Sequence, residues 1–203
     1  MAGEDDIRKQ FEAAIAGPEL DDLRQLAPVM RAGYLPRPEL RKSPRREPVR
    51  YRVIVDLNDA EPRIWRALEL RSDMSLDLVH AVLQGAFDWT DSQLYRFSLG
   101  AGDSFAPQNQ LYLCPFDVED GEVEGIPVQE VRLDQTLQEP GDTLHYVYDY
   151  GDNWDLTLRL EAVLPLGPDA LPARCVDGQR AARPENCGGL RCAEALSLVL
   201  ADP

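Results

Sequence analysis

The sequence predicts an α+β fold, in which an antiparallel or mixed β-sheet is packed by a few helices. Residues 51–57 alternate apolar and polar side chains, and turn-forming residues separate them from a second strand at 63–70. A second hairpin is predicted from residues 143–150 and 154–164. Between the hairpins, residues 75–87 carry apolar side chains at helical spacing. Two hairpins and one amphipathic helix are expected to form a sheet with a helix on one face.

An N-terminal extension precedes this domain. Apolar residues recur at helical spacing in 4–16 and 19–32, so residues 1–32 are predicted to form a helical hairpin. Residues 33–50 contain four prolines and six lysines or arginines, which is typical of an extended linker. Because aromatic residues are not interleaved with the basic ones, we interpret this linker as a solvated tether. The α+β domain is then residues 51–203.

The rest of the domain gives weaker signals. Residues 94–99 and 111–114 are strand candidates, and the acidic segment 117–130 is predicted to be a mobile loop. Residues 165–189 are rich in Pro, Gly and Arg and are predicted to form an ordered loop, followed by a last helix at 190–200.

Alternation in the second hairpin assigns its side chains to two faces. The face predicted to pack against helices carries Leu144, Tyr146, Tyr148 and Tyr150 in the first strand. His145 points the other way and is predicted to lie at the surface.

Charge and composition exclude several classes of protein. The net charge is −15, and residues 53–203 hold 10 Lys+Arg against 27 Asp+Glu. So acidic a domain repels phosphate backbones, which argues against nucleic acid as a partner. No apolar run approaches the roughly 18 residues of a membrane helix, and the acidic N-terminus does not resemble a secretory signal. We therefore expect a cytoplasmic protein without disulfides, a membrane partner or a required cofactor.

Four segments together resemble a known family. They are IWR at 64–66, WTDSQLYRF at 89–97, YDYGDNWDL at 148–156 and RCVDGQRAARPENCGG at 174–189. Their order and spacing are similar to the plasmid pRiA4b ORF-3-like family, also described as insertion-element passenger or TnpR-like proteins. The resemblance covers about residues 50–203. It implies an α+β fold, an association with mobile elements and a biochemical function that is largely undefined.

The match to the family motifs is incomplete. Residues that match them are His80, Trp89, Asp91, Asp149, Asp152, Trp154, Cys175, Arg180, Glu185 and Cys187. Where family members commonly carry histidines, this chain has Gln93, Tyr95 and Leu156, while Ala182 and Asn186 replace a Cys and an Asp. If the family's His and Cys side chains bind a metal, this chain lacks several of the ligands.

Metal binding nevertheless has two sets of candidate ligands. Asp149, Asp152 and Asp155 crowd one turn, and their oxygens would suit Mg²⁺ or Ca²⁺. The alternative is that these carboxylates cap the turn by accepting backbone N–H groups. Cys175 and Cys187 could bind zinc, form a redox pair or be buried as small apolar residues, although the cysteine spacing is not a standard zinc pattern.

The aromatic and histidine motifs have similar alternatives. His80 lies on the apolar face of its predicted helix, either as a general base or metal ligand or as a buried histidine with a hydrogen-bond partner. Trp89 beside Asp91, and Trp154 beside Asp152, could line a pocket for a cationic or polar ligand, or they could be core residues.

Arg180 lies in the last of these motifs. With the backbone of Gly188 and Gly189 it could bind an anion. We favour the alternative, in which Arg180 pairs with the carboxylate of Asp149 or Asp152 and fixes the loop.

The leading functional hypothesis is a noncatalytic binding module for an unknown protein or small molecule. Its ligand-binding candidates are His80, Trp89, Asp91, Asp149, Asp152, Trp154, Arg180 and Glu185. One alternative is a divalent-metal-dependent hydrolase that uses the clustered aspartates and His80. Another is nucleic-acid binding through the basic arm at 31–52. The binding hypothesis requires the motifs at 89–97, 148–156 and 174–189 to converge.

Overall fold

The computed structural model describes residues 39–168, 170–193 and 195 of the chain. The predicted helices at 4–16 and 19–32 lie outside these residues. So does most of the last helix predicted at 190–200, although a helical segment begins at residue 189.

Eight strands and two short helices form the described part of the domain ahead of that segment. The strands are β1 (Arg50–Leu57), β2 (Ile64–Arg71), β3 (Tyr95–Leu99), β4 (Gln110–Leu113), β5 (Ile126–Pro127), β6 (Thr143–Tyr148), β7 (Trp154–Leu164) and β8 (Ala173–Gln179). The helices are α1 (Leu76–Phe87) and α2 (Pro115–Asp120), and two 3₁₀ turns follow β5.

The strands form one mixed sheet, which confirms the predicted fold class. Their order is β5-β4-β3-β6-β7-β1-β2-β8. Every neighbouring pair is antiparallel except β4 and β5, which are parallel. Both predicted hairpins, β1–β2 and β6–β7, are present, and β1 and β7 pair with each other at the centre of the sheet.

The core lies between this sheet and α1. The predicted apolar face of β1 is buried, with Tyr51, Val53 and Val55 inaccessible to solvent. The face of α1 that covers the sheet consists of Leu76, Val79, His80, Leu83, Gln84 and Phe87. Helix α1 ends at Phe87, and the next residue, Asp88, adopts the left-handed conformation (φ 59°) and turns the chain back toward the sheet. This turn places the motif that begins at Trp89 against the core.

Two segments predicted as loops contain regular structure. Segment 117–130 includes most of α2, all of β5 and one 3₁₀ turn. Segment 165–189 contains β8, which pairs antiparallel with β2. Both elements were missed because they are almost entirely exposed to solvent. Helix α2 has no buried residue, and six of the seven β8 residues are exposed.

Three local predictions are also wrong. His145 is buried, because the loop at 100–109 folds over this part of the outer face of the sheet. Tyr150 lies beyond the end of β6 and is exposed, so it does not continue the apolar face. Residues 39–49 are not a solvated tether. Backbone N–H groups of this segment donate to the body of the domain, for example from Lys42 to the carbonyl of Gln135.

Helices within the described residues are all too short or too polar to cross a membrane.

Candidate functional site

The three motifs converge on a cluster of stacked aromatic side chains. Trp89 stacks on Tyr148 with a distance of 5.1 Å between ring centroids, and its ring lies 5.9 Å from that of Trp154. Phe87, at the end of α1, also stacks on Trp89, at 5.1 Å between ring centroids. Both predicted tryptophans are buried, which confirms the core alternative for their rings.

Glu185 joins the motif at 174–189 to the motifs at 89–97 and 148–156. Its carboxylate accepts hydrogen bonds from the backbone N–H and the hydroxyl of Thr90 and from the hydroxyl of Tyr148. Burial opposes ionisation of Glu185, but the hydrogen bonds from Thr90 and Tyr148 outweigh it and lower the pKa of this carboxyl group. The indole N–H of Trp89 also donates to the carbonyl of Arg183, at 3.2 Å. The loop that precedes residue 189 is thus fixed over the aromatic cluster.

The three clustered aspartates have separate partners. Asp149 accepts the backbone N–H groups of Gly151 and Asp152, as the turn-capping alternative predicted. Asp152 accepts the N–H groups of Cys187 and of the residue after it, at 3.0 and 3.2 Å. The third, Asp155, accepts a hydrogen bond from the hydroxyl of Ser104, at 2.8 Å.

The predicted metal ligands do not form a common centre in the described part of the chain. There, no three His, Cys, Asp or Glu side chains are grouped so that they could hold a metal ion. Cys175 is exposed on β8, and Cys187 is half-buried beside Asp152. Burial, together with the Asp152 charge, raises the pKa of the Cys187 thiol, which makes it a weaker thiolate ligand at neutral pH.

Arg180 does not have its predicted role. It is exposed at the end of β8 with a positive φ of 67°, and no carboxylate within the described residues pairs with it. Asp152 instead binds the loop through backbone N–H groups, which the sequence does not distinguish from any others.

His80 belongs to a closed cycle of hydrogen bonds that links α1, the motif at 89–97 and β6. Its Nε2 lies 2.8 Å from Oδ1 of Asp91, and its Nδ1 lies 2.8 Å from the hydroxyl of Tyr146. Gln84 closes the cycle, because its amide N–H donates to the Tyr146 hydroxyl while its carbonyl accepts the backbone N–H of Asp91. We call these four residues the His80 cycle.

The cycle fixes the protonation state of His80. The Asp91 carboxylate only accepts, so Nε2 carries the proton, and Tyr146 then donates to an unprotonated Nδ1. Each of the four residues thereby donates once and accepts once around the cycle. Burial lowers the pKa of His80, although the Asp91 charge opposes this shift. The ring of Tyr95 stacks on His80 at 3.5 Å, so the histidine is packed on its face as well.

A cleft opens at the turn end of the central strands, next to the aromatic cluster. Its volume is about 460 Å³. It is lined by Leu57, Asn58, Asp59, Asp152, Asn153, Trp154, Asp155, Gly188, Gly189, Leu190 and Arg191. We call this space the turn cleft.

Two buried polar atoms of residues that line the turn cleft have no hydrogen-bond partner among the described residues. They are the indole Nε1 of Trp154 and the Oδ1 of Asp155. A buried polar atom without a partner carries a desolvation cost that a bound ligand or water can remove. Three carboxylates and one guanidinium, that of Arg191, line the cleft, so its charge favours a cation.

Several of these residues were not predicted. The sequence did not identify Gln84 and Tyr146 as site residues, because their hydrogen bond joins side chains more than 60 positions apart. Asp59 was not identified because the turn between β1 and β2 carries no motif. Only the pairing of β1 with β7 brings this turn beside the turn between β6 and β7.

The mixed sheet with one covering helix defines an α+β protein whose motif residues surround an aromatic core beside a polar cleft. The chain belongs to the plasmid pRiA4b ORF-3-like protein family, whose model matches residues 49–203. It is 29% identical over 159 residues to the uncharacterized protein y4hQ of Sinorhizobium fredii, covering 75% of this chain and 73% of that protein.

A solved structure has the same fold. It is the protein of unknown function MM3350 from Methanosarcina mazei Go1, with a TM-score of 0.66 and 24% sequence identity over 77% of this chain and 83% of that one.

Proposed function

We propose that this protein is a noncatalytic intracellular binding module whose ligand is a small cation held in the turn cleft. The observation that carries the proposal is the excess negative charge of the turn cleft, which Asp59, Asp152 and Asp155 line against the single guanidinium of Arg191. Oδ1 of Asp155 also has no hydrogen-bond partner among the described residues. Carboxylates require donors, which an ammonium or guanidinium group supplies.

The cleft would recognise such a ligand by charge and hydrogen bonding more than by apolar contact. Asp59 is exposed at the rim, whereas one oxygen of Asp152 already holds the neighbouring loop. Asp59 therefore contributes only its charge to the cleft, whereas Asp152 contributes its charge and also holds the neighbouring loop.

Binding of L-arginine amide, measured by isothermal titration calorimetry, tests this proposal. We expect saturable one-site binding that weakens as salt is added, because exposed charges are screened. Asp59→Asn should weaken binding roughly fivefold, since one exposed ion pair contributes up to about 1 kcal/mol. Asparagine tolerates the positive φ of 59° at this position, so the fold is retained.

Asp120→Asn is the matched control. It removes the same charge from an exposed position on α2 that does not line the cleft. Binding by this variant should equal that of the wild type. Equal weakening by both variants, or no binding at millimolar ligand, would contradict the proposal.

The two alternative functions gain less support. The aspartates and His80 of the proposed hydrolase each have structural partners. In the basic arm, Arg41 pairs with Glu39 and Lys42 with Asp142, which leaves these cations less free to bind phosphates. The association with mobile elements that the resemblance implies stays a prediction.

A further inference from the structure

Strand β8 ends the sheet with one edge that no strand of the described chain covers. It pairs with β2 on one side only, and six of its seven residues are exposed. Residues 173–175 pair regularly with Leu68, Glu69 and Leu70, and the register shifts only after them. An uncovered edge presents backbone N–H and C=O groups that can pair with another extended chain.

An apolar groove runs beside this regular stretch. It has a volume of about 620 Å³ and lies between α1 and the start of β8. Its lining consists of Arg71, Asp73, Met74, Leu78, Ala81, Val82, Pro172 and Ala173. Leu78, on α1, is 52% exposed, so an apolar side chain of this groove is open to solvent.

The opposite face of the edge is positively charged. Glu69 is buried and bonds three guanidinium groups, those of Arg50, Arg52 and Arg174, at 3.2, 2.6 and 2.7 Å. One carboxylate neutralises only one of these charges. Arg174, which lies on β8 itself, is half-exposed and can contact an added strand.

We propose that β8 binds an extended acidic segment of another protein, which adds to the sheet as a ninth strand. Side chains of a strand point alternately to its two faces. The segment would therefore place apolar residues in the groove beside Leu78 and acidic residues against Arg174. Backbone pairing provides affinity in this mode of recognition, and the alternate side chains provide specificity. This surface is separate from the turn cleft, and the inference does not rest on the proposed function.

The probe is a fluorescent peptide with the sequence Glu-Val-Glu-Leu-Glu-Val-Glu, blocked at both ends and titrated with the full chain in an anisotropy assay. We expect saturable binding with amide-exchange protection confined to residues 173–179. A peptide with Lys in place of Glu should bind at least tenfold more weakly. A peptide with N-methyl groups on the pairing edge should not bind.

Leu78→Lys tests the groove. The exposed side chain can be replaced without loss of core packing, and we expect at least tenfold weaker peptide binding. The matched control is Val118→Lys, which changes an exposed valine on α2 and should leave binding unchanged. Urea unfolding of both variants checks that the fold is retained.

Three results of these binding and exchange measurements would overturn the proposal. They are no binding of the acidic peptide up to about 1 mM, equal binding by Leu78→Lys and wild type, and exchange protection outside β8. Self-association that buries β8 and blocks the peptide would also overturn it, and sedimentation velocity would detect that state.

Discussion

The His80 cycle provides the sharpest test of how this domain is held together. Tyr146→Phe removes one buried hydroxyl and keeps the ring, so the packing against α1 is preserved. Two buried atoms lose their partner, the amide nitrogen of Gln84 and Nδ1 of His80. Leaving a buried polar group unpaired costs about 1–3 kcal/mol, so we expect a loss of about 2–4 kcal/mol in the free energy of unfolding. This is a large part of the stability of a small domain.

Urea denaturation measures this loss. The midpoint should fall while the m-value stays constant, because the surface exposed on unfolding is unchanged. Tyr112→Phe is the matched control, since Tyr112 is also buried and donates one hydrogen bond, to Oε1 of Gln110. That oxygen keeps the N–H of Leu40 as a donor, so the control should cost about 1 kcal/mol.

The comparison of the two variants decides the outcome. If Tyr146→Phe costs no more than Tyr112→Phe, the cycle does not act as a unit and the directional argument for His80 is wrong. Nitrogen chemical shifts of His80 give an independent measurement, because the cycle requires the proton on Nε2.

Three further predictions concern titration, the loop and metal content. Burial lowers the pKa of His80 below 6.5, so the unfolded chain takes up this proton first. The unfolding free energy should therefore fall as the pH drops below about 6.5, and His80→Gln should flatten this dependence between pH 7.5 and 5.5. Glu185→Ala should lower the unfolding free energy by about 1–3 kcal/mol and speed amide exchange in residues 183–188, and unchanged exchange would refute the anchoring role. Elemental analysis of purified protein should find no stoichiometric metal; a bound ion lost in Asp152→Ala would instead support the hydrolase alternative.

The sequence predicted those elements whose side chains separate clearly into buried and exposed faces. Strand β1 alternates, and Tyr51, Val53 and Val55 are buried as expected. Strand β8 has no such pattern, because an edge strand exposed on both faces places no constraint on its residues. Helix α2 buries nothing, although Pro115 at its first position and Gly121 after its last are recognisable helix-boundary signals.

The part of the site that could be predicted consists of the contacts between the family motifs. Convergence of Trp89, Trp154 and Glu185 is confirmed, because the resemblance identified the segments that carry them. The proposed partner of Asp152 was wrong, since the path of a loop decides whether a side chain or a backbone N–H reaches a carboxylate. Tyr146 could be placed on the buried face by alternation, but nothing in the spacing relates it to His80.

These contacts divide the residues of the candidate site into two groups with different expected behaviour. His80 and Glu185 join separate segments within the domain, so changing them should alter stability before it alters recognition. Asp59 lies outside every motif and is exposed at the rim of the turn cleft, so changing it should alter binding alone. A family resemblance carried mainly by the first group reports the shared fold. The ligand proposed for this chain would then be selected by rim residues such as Asp59, which can be changed without cost to the core.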